Sequence, residues 1–340
     1  MTEKVFSNPD VYRISVPLPE NPLRNLNSYV IKTPGRNMII DTGFNRSECY
    51  DALMEGLKEL EVKIEDTDFF ITHLHGDHSG LVNKIAGPDS KIYMSEIDYR
   101  YLKGDIANVS WVKIEEMYTE EGFPQEITDM LKSTNQAKKF MPDKLFEAQM
   151  LSDGEIIKVG DYEFRCILTP GHTPGHMCLY FEDGKLLFSG DHVLFDITPN
   201  ITSWYGIKDS LKDYLESLKM INKVDIKTTL SGHRESKGSV YDRIDEILEH
   251  HRIRLDDTVK VIRNNKDRAL TAYEIAQNMQ WNLRGKSWDD FPENQKWFAM
   301  GETMSHLDYL LNTGTIYKEN TNGIFVYYLC QVEMDSEVNI

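Results

Sequence analysis

The chain has 340 residues, 40% of them hydrophobic and 27% charged, a length that allows two domains because a single core seldom grows beyond about 250 to 300 residues. Its formal net charge of −17 disfavours nucleic acid as the main substrate, since a protein that works by neutralising phosphates needs a basic face. No apolar run approaches the roughly 20 residues that span a bilayer, and the start Met1-Thr2-Glu3-Lys4-Val5-Phe6 lacks the basic-then-apolar order of a signal peptide, so a cytoplasmic protein with no membrane contact is expected.

Val11 to Val16, Ser28 to Ile31 and Met38 to Ile40 predict early strands, and Glu48 to Leu60 a helix. Asp41-Thr42-Gly43 follows the third strand and by itself reads as a simple turn. The apolar stretch Phe69 to Ile71 then runs directly into Thr72-His73-Leu74-His75-Gly76-Asp77-His78, four metal-binding side chains inside six residues. A strand sends alternate side chains to one face, and a tight turn sends the remainder elsewhere. Four such groups crowd a single ion and suit two adjacent ones. His73 and His75 form an alternating pair for the first ion, while Asp77 and His78 lie past the Gly76 turn for the second.

Residues 95 to 150 read as an insertion between two halves, with helical spacing in Ile106 to Tyr118 and in Pro124 to Leu131. Its Trp111, Met117, Tyr118, Phe123, Met130, Phe140, Met141 and Phe146 either pack these helices or cover an apolar substrate as a lid. The second half resumes with strands at Ile156 to Val159 and Tyr162 to Leu168. Cys166 to Thr169 leads to Pro170-Gly171-His172, and Met177 to Phe181 and Lys185 to Phe188 flank the hairpin signal Glu182-Asp183-Gly184. Leu186 to Phe188 leads to Ser189-Gly190-Asp191, and Ile226 to Leu230 to Ser231-Gly232-His233. Each strand-like run meets a glycine and then a ligand-type residue, so several strands end on one edge and bring His172, Asp191 and His233 together. His176 has either a supporting or a purely structural role. Leu194 to Tyr205 borders the pocket, and Tyr205 either packs there or donates to a developing oxyanion; Asp209 to Met220 is an amphipathic helix. Cys49, Cys166, Cys178 and Cys330 show no Cys-x-x-Cys and read as reduced thiols.

Beyond about residue 240 the pattern changes to a long helix, Val240 to Asn264, a capped short helix opening at Thr271, a helix from Asn294 to Leu311, and a hairpin with strands at Ile316-Tyr317 and Ile324 to Leu329. From residue 252 onward there are ten Lys or Arg against thirteen Asp or Glu, a net of −3. That balance favours a structural, pocket-covering or homodimer-forming role over DNA binding.

Taken together, these motifs resemble the metallo-β-lactamase fold superfamily, in the hydrolase branch with glyoxalase II-like and lactonase-like enzymes, over roughly residues 10 to 240. The resemblance implies an α/β (α+β) fold: an αββα sandwich over residues 1–240 with the 95–150 insertion, followed by a smaller winged-helix-like C-terminal domain over 241–340. It implies that His73, His75 and His172 hold one ion, that Asp77, His78 and His233 hold a second, and that Asp191 bridges them. It also implies a place for Asp41 beneath the ions, its carboxylate fixing the ring of a ligand histidine, as the alternative to a simple turn. The implied cofactors are two divalent ions, zinc first, with iron or manganese also suited to imidazole and carboxylate. The implied reaction is hydrolysis of a small-molecule thioester, lactone or ester by hydroxide held between the ions, with Asp77 orienting the water or taking its proton and Tyr205 as a candidate donor. A metal-dependent nuclease is the alternative, disfavoured by the acidic charge and by the short interval from Asp191 to His233.

Overall fold

The computed structural model describes residues 2–104, 111–134, 139–282 and 287–330. A first sheet runs in sequence order through β1 (Thr2–Phe6), β2 (Asp10–Pro17), β3 (Asn25–Lys32), β4 (Asn37–Ile40), β5 (Thr67–Ile71), β6 (Ile92–Ser95) and β7 (Gln149–Leu151). The strands pair antiparallel as far as β4 and parallel from β4 to β7. Parallel neighbours need a crossover, which α1 (Ser47–Glu59) supplies between β4 and β5. α1 packs so closely on β2 that a Cβ added at Gly56 would lie 2.7 Å from Ile14 Cγ2. Because β4 and β5 point the same way, their C-terminal ends lie side by side, the usual place for a ligand site in such sheets.

The second sheet has the order β12 (Thr228–Ser231), β11 (Leu186–Gly190), β10 (Met177–Phe181), β9 (Tyr162–Leu168) and β8 (Ile156–Val159). All its pairs are antiparallel except β11 with β12, whose connection carries α7 (Ser210–Ile221). The two sheets share one core. Val11, Ile31, Met38 and Phe70 from the first interlock with Phe164, Cys166, Leu179, Phe188 and Leu230 from the second, each large apolar side chain contributing about 1.5–3 kcal/mol on burial. On β2 the period of two sends Val11 into this core and Ile14 toward α1, so the strand is buried on both faces and its polar–apolar alternation is blurred.

Two features depart from the sequence expectation. β1 was not anticipated. Neither were β6, β7 and the intervening α4 (Glu96–Lys103), so the 95–150 stretch leaves the first sheet and returns to it as a parallel neighbour. The helix expected over Ile106 to Tyr118 is observed as α5 (Trp111–Glu120), with residues 106–110 outside the described residues, and is followed by α6 (Gln125–Thr134).

The chain divides into two compact units. One comprises Met1–Ile106, Gln136–Pro199 and Ser217–Arg243, the other Ala107–Asn135, Asn200–Glu216 and Ile244–Ile340. The second unit thus draws on three stretches of sequence. Most of α8 (Val240–Asn264), then α9 (Ala272–Asn278), α10 (Glu293–Asn312) and the hairpin β13 (Ile316–Thr321) with β14 (Ile324–Leu329) belong to it. α9 opens on a full capping box between Thr271 and Glu274. Glu121, just past α5, accepts from Tyr327 Oη at 2.7 Å and Lys318 Nζ at 3.1 Å on the hairpin, and Tyr118 stacks on Trp297 of α10 at 3.8 Å. Among the described residues no helix is long and apolar enough to cross a membrane.

Candidate metal centre

The site grows from the strand ends of the first unit. Asp41 ends β4 in the left-handed region at φ 59°, a conformation an aspartate tolerates better than most side chains. Its carboxylate accepts from Thr72 N at 2.9 Å, from Thr72 Oγ1 at 2.8 Å and from His78 Nδ1 at 2.7 Å. Thr72 Oγ1, having donated to Asp41, accepts in turn from His73 Nδ1 at 3.0 Å. Thr42 holds the same turn, its N–H and hydroxyl both donating to His78 O at 2.8 Å. On the other sheet, His233 Nδ1 donates to Asn25 O at 2.8 Å, and Asn27 and Tyr29 of β3 clamp the end of β12 by donating to Ser231 O.

These acceptors decide which ring nitrogen points inward. With the Nδ1 proton committed, His73, His78 and His233 each turn Nε2 away from the scaffold. Those atoms converge. His75 turns the other way, its Nδ1 lying 3.0 Å from His73 Nε2 and 3.1 Å from His172 Nε2. His73, His75 and His172 form one group of ligand atoms within 4.8 Å of one another, and Asp77, His78 and His233 form another. Asp191 lies between them: Oδ2 is 3.7 Å from His172 Nε2 and 3.4 Å from His233 Nε2, and Oδ1 is 3.5 Å from His78 Nε2.

The residues fit divalent metal on three counts. Asp191 Oδ1 is buried with no hydrogen-bond partner, a loss of about 1–3 kcal/mol unless a positive group faces it. The ring-nitrogen separations of 3.0 and 3.1 Å in the first group approach the edge of about 3.3 Å that a tetrahedron with 2.0–2.1 Å bonds requires. Electrostatics agree with the geometry. Burial and neighbouring imidazoles push His73 well down and His75 down to about 3, so these two offer neutral nitrogens. In the second, burial opposes charge on His233 but Asp191 and Asp77 outweigh it and push it up to about 10. Asp77 is held down to about 2 because His78 and His233 outweigh its burial. That half of the site is a trap for positive charge.

Two supporting residues complete the frame. His176 accepts from Asp191 N at 3.1 Å and donates through Nδ1 to Thr169 Oγ1 at 2.8 Å, so it is a buried neutral imidazole aiming the Asp191 loop. Asp98, which sequence reasoning missed, is fully buried, and burial raises it to about 6 although three donors face it. Its signal was masked because Ser95-x-x-Asp98 reads as an ordinary helix start; Ser95 Oγ does accept from Asp98 N at 3.2 Å. Glycine is demanded at 232, where an added Cβ would lie 2.5 Å from Asp191 Oδ1. Tyr205 is not among these clustered side chains. It belongs to the second unit, where Lys113 Nζ lies 3.3 Å from its hydroxyl and 5.2 Å from its ring centroid.

Residues 22–233 match the family described as the metallo-beta-lactamase superfamily. The chain is 26% identical over 312 residues to the probable metallo-hydrolase YqjP of Bacillus subtilis (strain 168), covering 88% of this chain and 92% of that protein. It is also 26% identical over 211 residues to the atrochrysone carboxyl ACP thioesterase of Aspergillus fumigatus, 62% of this chain and 51% of that one. A metallo-beta-lactamase family protein from Thermus thermophilus has a similar structure, with a TM-score of 0.79 and 25% identity over 96% of this chain and 100% of that one.

Proposed function

The chain belongs to the metallo-beta-lactamase superfamily, and from that premise we propose that it is a hydrolase that cleaves the acyl bond of a small-molecule thioester, lactone or ester with two divalent ions. The observation that carries this reading is the convergence of two ligand groups on one carboxylate, Asp191. In it His73, His75 and His172 would hold one ion, Asp77, His78 and His233 the other, and Asp191 would serve both groups. Zinc suits this mixture of imidazole and carboxylate, as do iron and manganese. When bound, such ions acidify a water and polarise a carbonyl oxygen.

The chain's own groups do the rest. Asp41, Thr72 and Asn25 O keep the Nδ1 protons of His78, His73 and His233 in place, so Nε2 is the atom each ring presents to an ion, which on His78 and His233 would take the place of a proton. Asp77 orients the attacking water or takes up its proton. The relative named as a carboxyl ACP thioesterase supports an acyl thioester as the first substrate class to try.

The test is a hydrolysis panel on metal-quantified protein, covering acyl-CoA and glutathione thioesters, lactones, phosphodiesters and RNA, with His73→Ala as control. Turnover of an acyl substrate that vanishes in the variant upholds the reading. Turnover of RNA alone replaces it with a nuclease, and activity unchanged in the variant removes the metal mechanism.

A further inference from the structure

Asp98 is the third residue of α4, on the first sheet's side of the sandwich, and its side chain reaches two loops that come from different sheets. Oδ2 accepts from Leu74 N at 2.9 Å and from Thr173 Oγ1 at 2.7 Å, and Oδ1 accepts from Gly175 N at 2.6 Å. Leu74 separates His73 from His75, and Thr173 follows His172. The closeness of the second loop is built into its backbone, since a Cβ added at Gly175 would lie 2.4 Å from Ser95 Oγ and 2.5 Å from Asp98 N. All three donors therefore belong to the segments that carry His73, His75 and His172.

No comparable tie from Asp98 runs to Asp77, His78 or His233 among the described residues. Those are anchored elsewhere, His78 by Asp41 and His233 by Asn25 O. Asp41 is unselective, because it also reaches His73 through Thr72. The two ligand groups thus share one anchor and differ in another.

We propose that Asp98 is a positioning residue for the first ligand group alone, fixing the loop of His73 and His75 against the loop of His172 so that their three ring nitrogens converge on one ion. The inference rests on the two-ion reading and deepens it. An asparagine at this position keeps the volume but turns one acceptor oxygen into a donor facing an N–H or O–H donor. One of the three bonds is then lost and a repulsion replaces it. The two loops shift relative to each other, and the first ion loses affinity while the second does not. Outer partners of ligands typically cost about 10–100-fold in metal affinity when removed.

The experiment is a Co2+ titration of the metal-free full chain, followed by visible absorption and by calorimetry, for wild type, Asp98→Asn, Thr173→Val and Asp41→Asn. Wild type is expected to take up two equivalents. Asp98→Asn should weaken one of them about 10–100-fold and leave the other at its wild-type affinity; Thr173→Val should do the same more mildly, and Asp41→Asn should weaken both. Equal weakening of both ions in Asp98→Asn, or no weakening, overturns the proposal. Should Asp98→Asn fail to fold, Thr173→Val decides on the same criterion. A wild-type stoichiometry of one overturns the two-ion reading instead; Asp98 then stands if Asp98→Asn weakens that ion and falls if it does not.

Discussion

Two places in the molecule bury histidines, and they use them in opposite ways. In the first unit, each Nδ1 of His73, His78 and His233 donates outward to the scaffold and the Nε2 atoms converge around Asp191. In the second unit, His306 donates through Nδ1 to Glu302 O at 2.6 Å and accepts at Nε2 from His251 Nδ1 at 3.2 Å. Burial pushes both down, His306 to about 4. The nearby Glu302 carboxylate is taken by Arg254 Nε at 3.0 Å, and among the described residues no third ligand completes a metal group there. Burial and a depressed pKa are thus common to both clusters. What separates them is whether several ring nitrogens converge on a carboxylate across a gap, or pair off along a short chain of hydrogen bonds that leaves His251 Nε2 without a partner.

That contrast is broken most severely at the centre itself. Replacing His73 or Asp191 by alanine should abolish metal retention and lower kcat/KM by more than the roughly 10–100-fold that losing an outer partner costs, measured by metal content and turnover of the best panel substrate. Asp41→Ala comes next, with metal affinity down about 10–100-fold and the protein still folded by circular dichroism. His306→Ala should leave metal content unchanged and lower unfolding stability by about 1–3 kcal/mol, since it orphans the buried His251 Nδ1; loss of metal in that variant would erase the distinction between the clusters. The last effect concerns pH in the second unit and is spread over several pH units. Burial pushes Asp308 up to about 7 although Ser203 Oγ donates to it at 2.6 Å. An unfolded aspartate ionises near 3.9, so between about pH 4 and 7 the folded chain binds the extra proton and stability falls as pH rises, by at most about 1.4 kcal/mol per unit. Asp308→Asn should flatten that slope in thermal unfolding scans.

What the sequence disclosed follows the range over which its signals act. Strands ending in glycine and a ligand residue are local patterns, so His172 and Asp191 could be read from residues beside them, and the Thr271 capping box from a partner three positions on. β6 and β7 are short, with four and three residues, and carry too little periodicity to stand out from the insertion around them. Asp98 was hidden because its helix-start pattern offered a sufficient local explanation, while its acceptor role depends on Leu74, Thr173 and Gly175 arriving from afar. The make-up of the second unit was hidden for the same reason. The bonds of Glu121 to Lys318 and Tyr327 join positions about two hundred residues apart, a separation no window of sequence can span.

The anchors of the centre lie as far back as Asn25 and its ligand atoms as far forward as His233. No fragment ending before His233 contains the whole set, so the centre is completed only once β12 has docked on the second sheet and carried the turn after it into place. Under the proposed function, cation uptake acts as a late latch on the sandwich. By mass action it adds RT ln(1 + [L]/Kd) to the native state, so stripping the ions with a chelator should lower the melting temperature of the first unit while leaving the histidine pair of the second undisturbed.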